Sequence, residues 1–406
     1  MPELLAGTTF EGVFSVLAAG PAVRLIALRL TGFRNLAPIE LEIPGRGLVL
    51  EGANGQGKTN FLEAIHFLAR FRSFRGAPIT DAIAFGAEHF RVEGTVAIED
   101  GSERAVAVAA DRSGRRIALD GRGATPARAL GTLLAVLVAP DDHALIAGSP
   151  SRRRAYLDGV LAVASRRYRR SLRDFERSLK QRNEALRREA PEAVLATWDE
   201  ALVEAGVGLF LARAAFVARQ AARFAELAGA IAGCGERGDY ELAYAPSVAE
   251  VLEADDDRVA SAWRRALVAD RVADRRRGWT GVGPHRDDLA IGLGGRPLGR
   301  YGSQGEHRTA AVALRLLEAD VLEEEVGSRP ILLLDDVFSE LDEERGRRLL
   351  ERLDAGARRQ RFVTTPRPLA WVDGATPRWR VVAGAFDRRP AHEAPVVLSL
   401  ARGGGG

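Results

Sequence analysis

The stretch Gly52-Ala53-Asn54-Gly55-Gln56-Gly57-Lys58-Thr59 has the spacing G-x-x-x-x-G-K-[ST], a loop that cradles nucleotide phosphates. Its glycines free backbone N–H groups to face phosphate oxygens, the lysine reaches the β- and γ-phosphates, and the threonine hydroxyl can ligate magnesium. Of 58 basic side chains only Lys58 and Lys180 are lysine, and all the others are arginine. A compact ammonium on a flexible stem suits phosphates better than a wide planar guanidinium, which explains a lysine at this position. A glycine-rich turn that merely contains lysine is the bland alternative. Far downstream, Pro330-Ile331-Leu332-Leu333-Leu334-Asp335-Asp336 reads as a buried strand ending in two carboxylates. Asp335 can contact magnesium directly or through water, and Asp336 can polarise an attacking water, a task a neighbouring carboxylate can share. An Asp-Asp pair ending a strand is also an ordinary helix N-cap.

A third element, Tyr301-Gly302-Ser303-Gln304-Gly305-Glu306-His307-Arg308, opens a helix whose buried face is Ala310, Leu314, Leu317 and Val321. A small hydroxyl and glycines at a helix N-terminus form an anion site, and a plain serine cap is the competing reading. Lying between the phosphate loop and the acidic strand, it resembles the signature motif of ABC-type ATPases. Ser339-Glu340-Leu341-Asp342 resembles their D-loop. The resemblance implies ATP and Mg2+ as ligands and an ATP-dependent homodimer, each nucleotide gripped between one subunit's phosphate loop and the other's signature. Lys58, Asp336 and Ser303 are then the catalytic set, Thr59 and Asp335 the metal ligands, and Gln304, Gly305 and Asp342 further nucleotide contacts.

These residues need elements to hold them. Leu25–Leu30, Ile39–Ile43 and Gly47–Leu50 alternate like strands, and the last runs into the phosphate loop. Phe61, Leu62, Ile65 and Leu68 then recur at helical spacing, giving the strand–loop–helix context the motif requires. Residues 90–120 read as short antiparallel strands, and Ala135–Val138 as one more. From about 150 the pattern is helical. Tyr168, Leu172, Phe175, Leu179 and Leu186 form one seam, and Trp198, Leu202, Ala205, Leu209, Ala212 and Phe216 a second, with Pro191 between them. Steps of four and three predict a short antiparallel coiled-coil-like hairpin, each arm roughly 30–50 Å long. A further helix is expected over Val259–Arg277. The predicted class is therefore α/β: an ABC-type P-loop ATPase head, with a mixed sheet and an antiparallel β subdomain, and an inserted α-helical lobe. Expected boundaries are a disordered extension 1–23, a first ATPase half 24–148, the helical lobe 149–278, a second ATPase half 279–400 and a disordered tail 401–406.

Bulk properties limit the function classes. Apolar residues make up 46% and charged residues 28% of 406 positions, a globular balance spread over two or three lobes. The net charge of +3 rules out a polycation, so any nucleic-acid surface must come from local clustering. The single cysteine, Cys234, excludes an intramolecular disulfide or a cysteine-rich zinc site and fits a reducing cytoplasm. No apolar run is expected to span a bilayer, and the first 23 residues carry Glu3 and Glu11 without a basic start, unlike a secretory signal.

Further stretches narrow the resemblance. Leu30-Thr31-Gly32-Phe33-Arg34-Asn35, Gln56-Gly57-Lys58-Thr59-Asn60 with Leu62-Glu63-Ala64-Ile65, and Arg72-Ser73-Phe74-Arg75 resemble the RecF family of SMC- and Rad50-like ATPases. So do Arg152-Arg153-Arg154-Ala155-Tyr156-Leu157-Asp158, Leu179-Lys180-Gln181-Arg182-Asn183 and Gly283-Pro284-His285-Arg286-Asp287-Asp288-Leu289. The resemblance covers nearly everything from 24 to about 370 and adds Arg34, Asn35 and Asn60 to the nucleotide contacts. It implies a bacterial, cytoplasmic, weak DNA-stimulated ATPase that is primarily an ATP-gated DNA-binding protein. It further implies recombinational repair, DNA replication and the SOS response to DNA damage, with RecR and RecO as partners in loading the recombinase at gaps. The 23-residue extension departs from the family. So does the lack of a histidine after Arg361–Thr365, where many ABC ATPases sense phosphate; Thr365 or a neighbour must serve instead. His285 can serve either the active site or a structural hydrogen bond.

Between 152 and 188 thirteen basic residues face four acidic ones, an excess three times the net charge of the chain. Such a stripe suits phosphate contacts without base reading, and a solvated arginine-rich face is the alternative. Arg152, Arg153, Arg154, Arg169, Arg170, Lys180 and Arg182 are the candidate DNA contacts. No aromatic-interleaved basic motif is evident, which favours duplex or gapped DNA gripped by its backbone. Two other classes share the phosphate loop: a small-molecule P-loop kinase, which needs no signature or hairpin, and a transporter motor, which the helical insert and basic arm disfavour.

Overall fold

The computed structural model describes residues 23–98, 100–233, 239–248, 255–355, 359–368 and 376–389. The expected N-terminal extension (apart from Val23), the tail 401–406 and Cys234 lie outside the described residues. By contacts the chain forms two compact units. One comprises Arg24–Ala135, Ile331–Ser339 and the chain from Arg358 onward; the other comprises Val136–Pro330 and Glu340–Ala357. The boundaries expected at 148/149 and 278/279 cut the chain differently, because the helix behind Ser303 groups with the helical arms.

In the first unit the strand Gly47–Glu51 is buried at every position, as an apolar run covered on both faces must be. It pairs in parallel with Arg361–Thr365, which pairs in parallel with Ile331–Asp335. On its other side it pairs in parallel with Arg378–Val382, which turns back antiparallel into Ala385–Arg389. Residues hundreds of positions apart thus become neighbours, and the C-terminal ends of four strands point the same way. Gly47 is required at one such approach, because a Cβ there would lie 1.8 Å from Arg361 O. A second sheet is antiparallel, ordered Ile39–Glu42, Arg24–Thr31, His89–Ala97, Glu103–Asp111, Gly114–Leu119 and Arg122–Gly123. The helix Lys58–Arg70 fills the unit with Phe61, Leu62, Ile65, Phe67 and Leu68, and ends where Phe71 takes a left-handed backbone (φ 58).

The other unit is mainly helical. The basic stretch breaks into Pro150–Ala164 and Arg166–Arg187, because Ser165 leaves the helical region and its hydroxyl accepts from Tyr168 N. After Pro191 the helix Glu192–Ala232 runs 41 residues, about 60 Å, so the returning arm is longer than expected. This helix also corrects the expectation on membrane spans: by length and composition alone it could cross a bilayer. Half of its apolar window is buried within the protein, as in a core helix. The third helical stretch divides into Asp256–Ala269 and Arg271–Arg277. A small antiparallel sheet joins Tyr240–Ala245 to Asp288–Leu293. The helix Gln304–Val326 is mostly buried and stops at Gly327 (φ 69).

Candidate nucleotide-binding site

The strand Gly47–Glu51 delivers the chain into the phosphate loop, where Gly55 (φ 81) and Gly57 (φ 107) take left-handed backbone conformations. At Gly57 a side chain is excluded twice, since its Cβ would also lie 2.8 Å from Leu36 Cδ2. The helix Lys58–Arg70 opens with no side-chain cap and no acidic residue in its first turn. Its N–H groups and the positive end of its dipole are therefore unopposed, as an anion site requires. Lys58 Nζ donates to Gly52 O at 2.6 Å and Ala53 O at 2.9 Å, folding the ammonium over its own loop. Burial lowers its pKa, while the Asp336 and Asp335 charges act in the opposite sense.

Neighbouring segments brace the loop. Asn35 Nδ2 donates to Gly55 O at 3.1 Å, and Asn35 Oδ1 accepts from Asn60 Nδ2 at 2.8 Å. Gln56 accepts from Ala383 N and Gly384 N at 2.6 and 2.9 Å, so the turn after Arg378–Val382 supports the loop from behind. Arg34 is placed differently from the other expected contacts. Its guanidinium lies bidentate on the buried Glu63, at 3.0 and 2.8 Å, and also donates to Asp81 O. Its direct role is to tie the Arg34–Asn35 segment to the helix behind the loop.

The acidic strand closes the site. Thr59 Oγ1 donates to Asp335 Oδ1 at 2.9 Å, and Thr364 Oγ1 donates to the same oxygen at 2.7 Å. Burial raises the pKa of Asp335, and the two hydroxyls partly restore its acidity. Asp336 has a left-handed backbone (φ 51), a strain of about 1–3 kcal/mol that is common at functional sites. Its N–H donates to Thr364 Oγ1 at 2.9 Å, and its Oδ1 is buried without a hydrogen-bond partner among the described residues. A hydroxyl, a buried carboxylate and an orphaned carboxylate oxygen form a hard oxygen set that fits magnesium. Among the described residues no three His, Cys, Asp or Glu side chains converge as a metal cage. A magnesium ion here would complete its shell from phosphate and water, its usual habit. Thr364 is the neighbour that meets the acidic strand. Thr365, named first from the sequence, donates its hydroxyl to Arg367 O.

In the helical unit Ser303 caps Gln304–Val326, its hydroxyl accepting from Glu306 N at 3.3 Å while the Glu306 carboxylate accepts from Ser303 N at 2.7 Å. The element is wired to Glu340–Asp342. Arg308 Nη1 donates to Glu340 O at 2.7 Å, and Asp342 accepts from Arg345 N at 2.9 Å. The Arg345 guanidinium lies where a Cβ on Gly305 would be, 2.2 Å away, which explains that glycine. His285 is a structural residue: its Nε2 meets Thr280 O at 3.0 Å and its ring packs near Phe175.

The basic stretch divides. Arg152, Arg170 and Lys180 are exposed, and Arg169 is half-buried with a bond to Ala162 O. Arg153 is bidentate to Asp288, and Arg154 donates to Asp287 O. Arg182 requires a correction. It is 0% exposed and holds Asp199 at 2.6 Å, Asp274 at 2.7 Å and Thr280 at 2.8 Å, so it cannot touch DNA. It lies on the buried seam facing the next helix, so its place in the helical period outweighs its charge.

The family model for the RecF/RecN/SMC N terminal domain matches residues 24–374. The DNA replication and repair protein RecF of Geobacter sulfurreducens is 38% identical over 344 residues, spanning 84% of this chain and 93% of that protein. The chain belongs to the RecF family. RecF of Symbiobacterium thermophilum is likewise 38% identical, over 84% of this chain and 90% of its own length. A solved structure of the recombination mediator protein RecF with ATP, described as of the RecFOR pathway, superposes with a TM-score of 0.83. Its identity is 31%, over 92% of this chain and 99% of that one. An Smc head bound to a winged-helix domain of ScpA, 17% identical with a TM-score of 0.54, shares the fold alone. The architecture is thus an ABC-type ATPase head with an inserted helical lobe, and RecF-family membership accounts for the order of its motifs.

Proposed function

We propose that the chain is an ATP-gated DNA-binding protein of recombinational repair and replication-fork maintenance, with weak ATP hydrolysis. The observation that carries the nucleotide part is the 2.9 Å bond from Thr59 to Asp335 across 276 positions, which assembles hydroxyl, carboxylate and lysine at one helix N-terminus. Phosphates would lie against Lys58 and the loop from Gly52 through Ala53, Asn54, Gly55, Gln56 and Gly57, with Asn35 and Asn60 holding the loop's shape. Thr59 and Asp335 would hold a magnesium ion, which neutralises charge on the phosphate oxygens. Asp336 would take a proton from the water that attacks the γ-phosphorus as the bond to the bridging oxygen breaks and its electrons leave with ADP.

Ser303, Gln304 and Gly305 of a second copy would close the pocket, with Asp342 beside them, so that ATP joins two heads. Moving such an equilibrium from 1:99 to 99:1 needs roughly 10,000-fold tighter binding of ATP to the closed form. The relatives named DNA replication and repair protein support the DNA part, with Arg152, Arg169, Arg170 and Lys180 as backbone contacts. The RecFOR description of the solved relatives supports RecR and RecO as partners and recombinase loading as the outcome, and a role on chromosomal DNA would place the chain in the cytoplasm. Sedimentation with and without ATP, on duplex, single-stranded and gapped DNA, tests the proposal. ATP should produce a dimer that binds DNA with steep salt dependence. A protein that stays monomeric with saturating ATP and magnesium would overturn it.

A further inference from the structure

The tip of the helical hairpin carries a basic and aromatic surface assembled from two stretches of chain. Helix Arg166–Arg187 ends there, and Glu192–Ala232 begins after a short turn. The helix Arg271–Arg277 lies beside this turn: Arg275 donates to Ala190 O at 3.0 Å, and Thr280 N donates to Asn183 Oδ1 at 2.8 Å. Gly278 ends that short helix in a left-handed conformation (φ 73) and presents the next residue outward. That residue, Trp279, is 38% exposed. The guanidinium of Arg286 lies 3.9 Å from its ring centroid and that of Arg277 lies 4.5 Å away.

Most arginines in this unit lie on carboxylates, and these largely do not. Arg286 gives its hydrogen bonds to Thr280 O, at 3.2 and 3.0 Å, and none to a carboxylate among the described residues. Burial and the nearby Arg154 and Arg277 charges hold its pKa below the ordinary arginine value. Arg276 is exposed and makes no hydrogen bond or ion pair among the described residues. Among the described residues only Arg277 of the three has acidic partners, Asp274 at 2.9 Å and Asp270 at 3.2 Å. An indole holds guanidiniums in fixed planes without neutralising them, so both their charge and their flat faces stay available. Phosphates answer the charge, and unpaired bases answer the planes by stacking. A duplex hides its base faces, and an acidic protein surface answers the charge alone.

We propose that Trp279, Arg276, Arg277 and Arg286 form a binding surface for single-stranded nucleic acid at the hairpin tip, such as the unpaired strand of a gap. The proposal rests on the DNA-binding reading above and adds a location and a strand preference to it. The full chain with ATP is titrated against a labelled thymidine homo-oligonucleotide and a blunt duplex, for the wild type, W279A, W279F and R276E. W279A and R276E should weaken oligonucleotide binding roughly tenfold, W279F should retain most of it, and duplex binding should change by less than about twofold. ATP turnover without DNA should be unchanged in all three. R276E alters an exposed, unpaired side chain and keeps the test valid should W279A fail to fold. Variants that bind the oligonucleotide like the wild type, or lose duplex and oligonucleotide equally, overturn this site alone. A wild type that binds neither DNA overturns the DNA-binding reading as well. Polyglutamate that displaces the oligonucleotide as well as unlabelled oligonucleotide does would identify an acidic-protein surface and overturn the proposal.

Discussion

Asp335 sits where the folded chain is penalised for the charge that its proposed role in holding a cation needs. Burial raises its pKa, so the ionised form, the one proposed to bind a cation, destabilises the native state at neutral pH. Below the unfolded carboxylate value the group is neutral in both states and the penalty vanishes. Asp335→Asn keeps an oxygen for the Thr59 and Thr364 hydroxyls. It should raise the thermal midpoint at pH 7, with the gain fading towards pH 4, while ATP turnover falls by roughly 100-fold or more. Paired melting curves and turnover assays check both; a lower midpoint at pH 7 would contradict the assignment. His285 gives the opposite pH profile. Burial pushes it from 6.5 down to about 4, so the unfolded chain takes up the proton first. Stability is therefore complete above pH 6.5 and declines as pH falls towards 4, by about 3 kcal/mol at most. His285→Gln can still donate to Thr280 O and should flatten that decline in denaturant titrations across the same window.

At the scale of elements, the buried arginine clamp organises the helical unit. Arg182 joins its own helix to Asp199 on the long arm and Asp274 on the short helix, while Arg277 also reaches Asp274. Removing the guanidinium takes one of two arginines from each buried carboxylate, Asp199 keeping Arg271 and Asp274 keeping Arg277, so Arg182→Ala should cost about 1.5–3 kcal/mol in chemical denaturation. A change under about 0.5 kcal/mol would mean that the clamp is solvated. This residue also shows where sequence patterning stops. The seam of Tyr168, Phe175 and Leu186 was legible from its period, but Arg182 lies on the same face and its charge concealed that. The strand–loop–helix around Lys58 was legible because one local stretch specifies it. Thr364 was legible only as a neighbour of Thr365, since both faces of its strand are buried and alternation is silent there. The stacked Trp279 needed Arg286, whose approach depends on the chain folding back at Thr280.

At the scale of the whole molecule, two copies should complement each other. A Lys58→Ala protein and a Ser303→Ala protein would each be inactive alone. Mixed one to one, half the dimers would carry one intact pocket, restoring about a quarter of wild-type turnover. No recovery on mixing would exclude a shared pocket. The unit that holds the phosphate loop is built from three separated stretches, and its carboxylates arrive with the second, Ile331–Ser339. On the ribosome, Lys58 emerges early and then waits through the synthesis of nearly all the intervening helices. A nascent polypeptide therefore cannot bring Thr59 and Asp335 together before its arms exist. Any premature stop ahead of Asp335 yields a fragment that lacks the partner of Thr59, so half-made copies are not equipped to compete for nucleotide with finished ones.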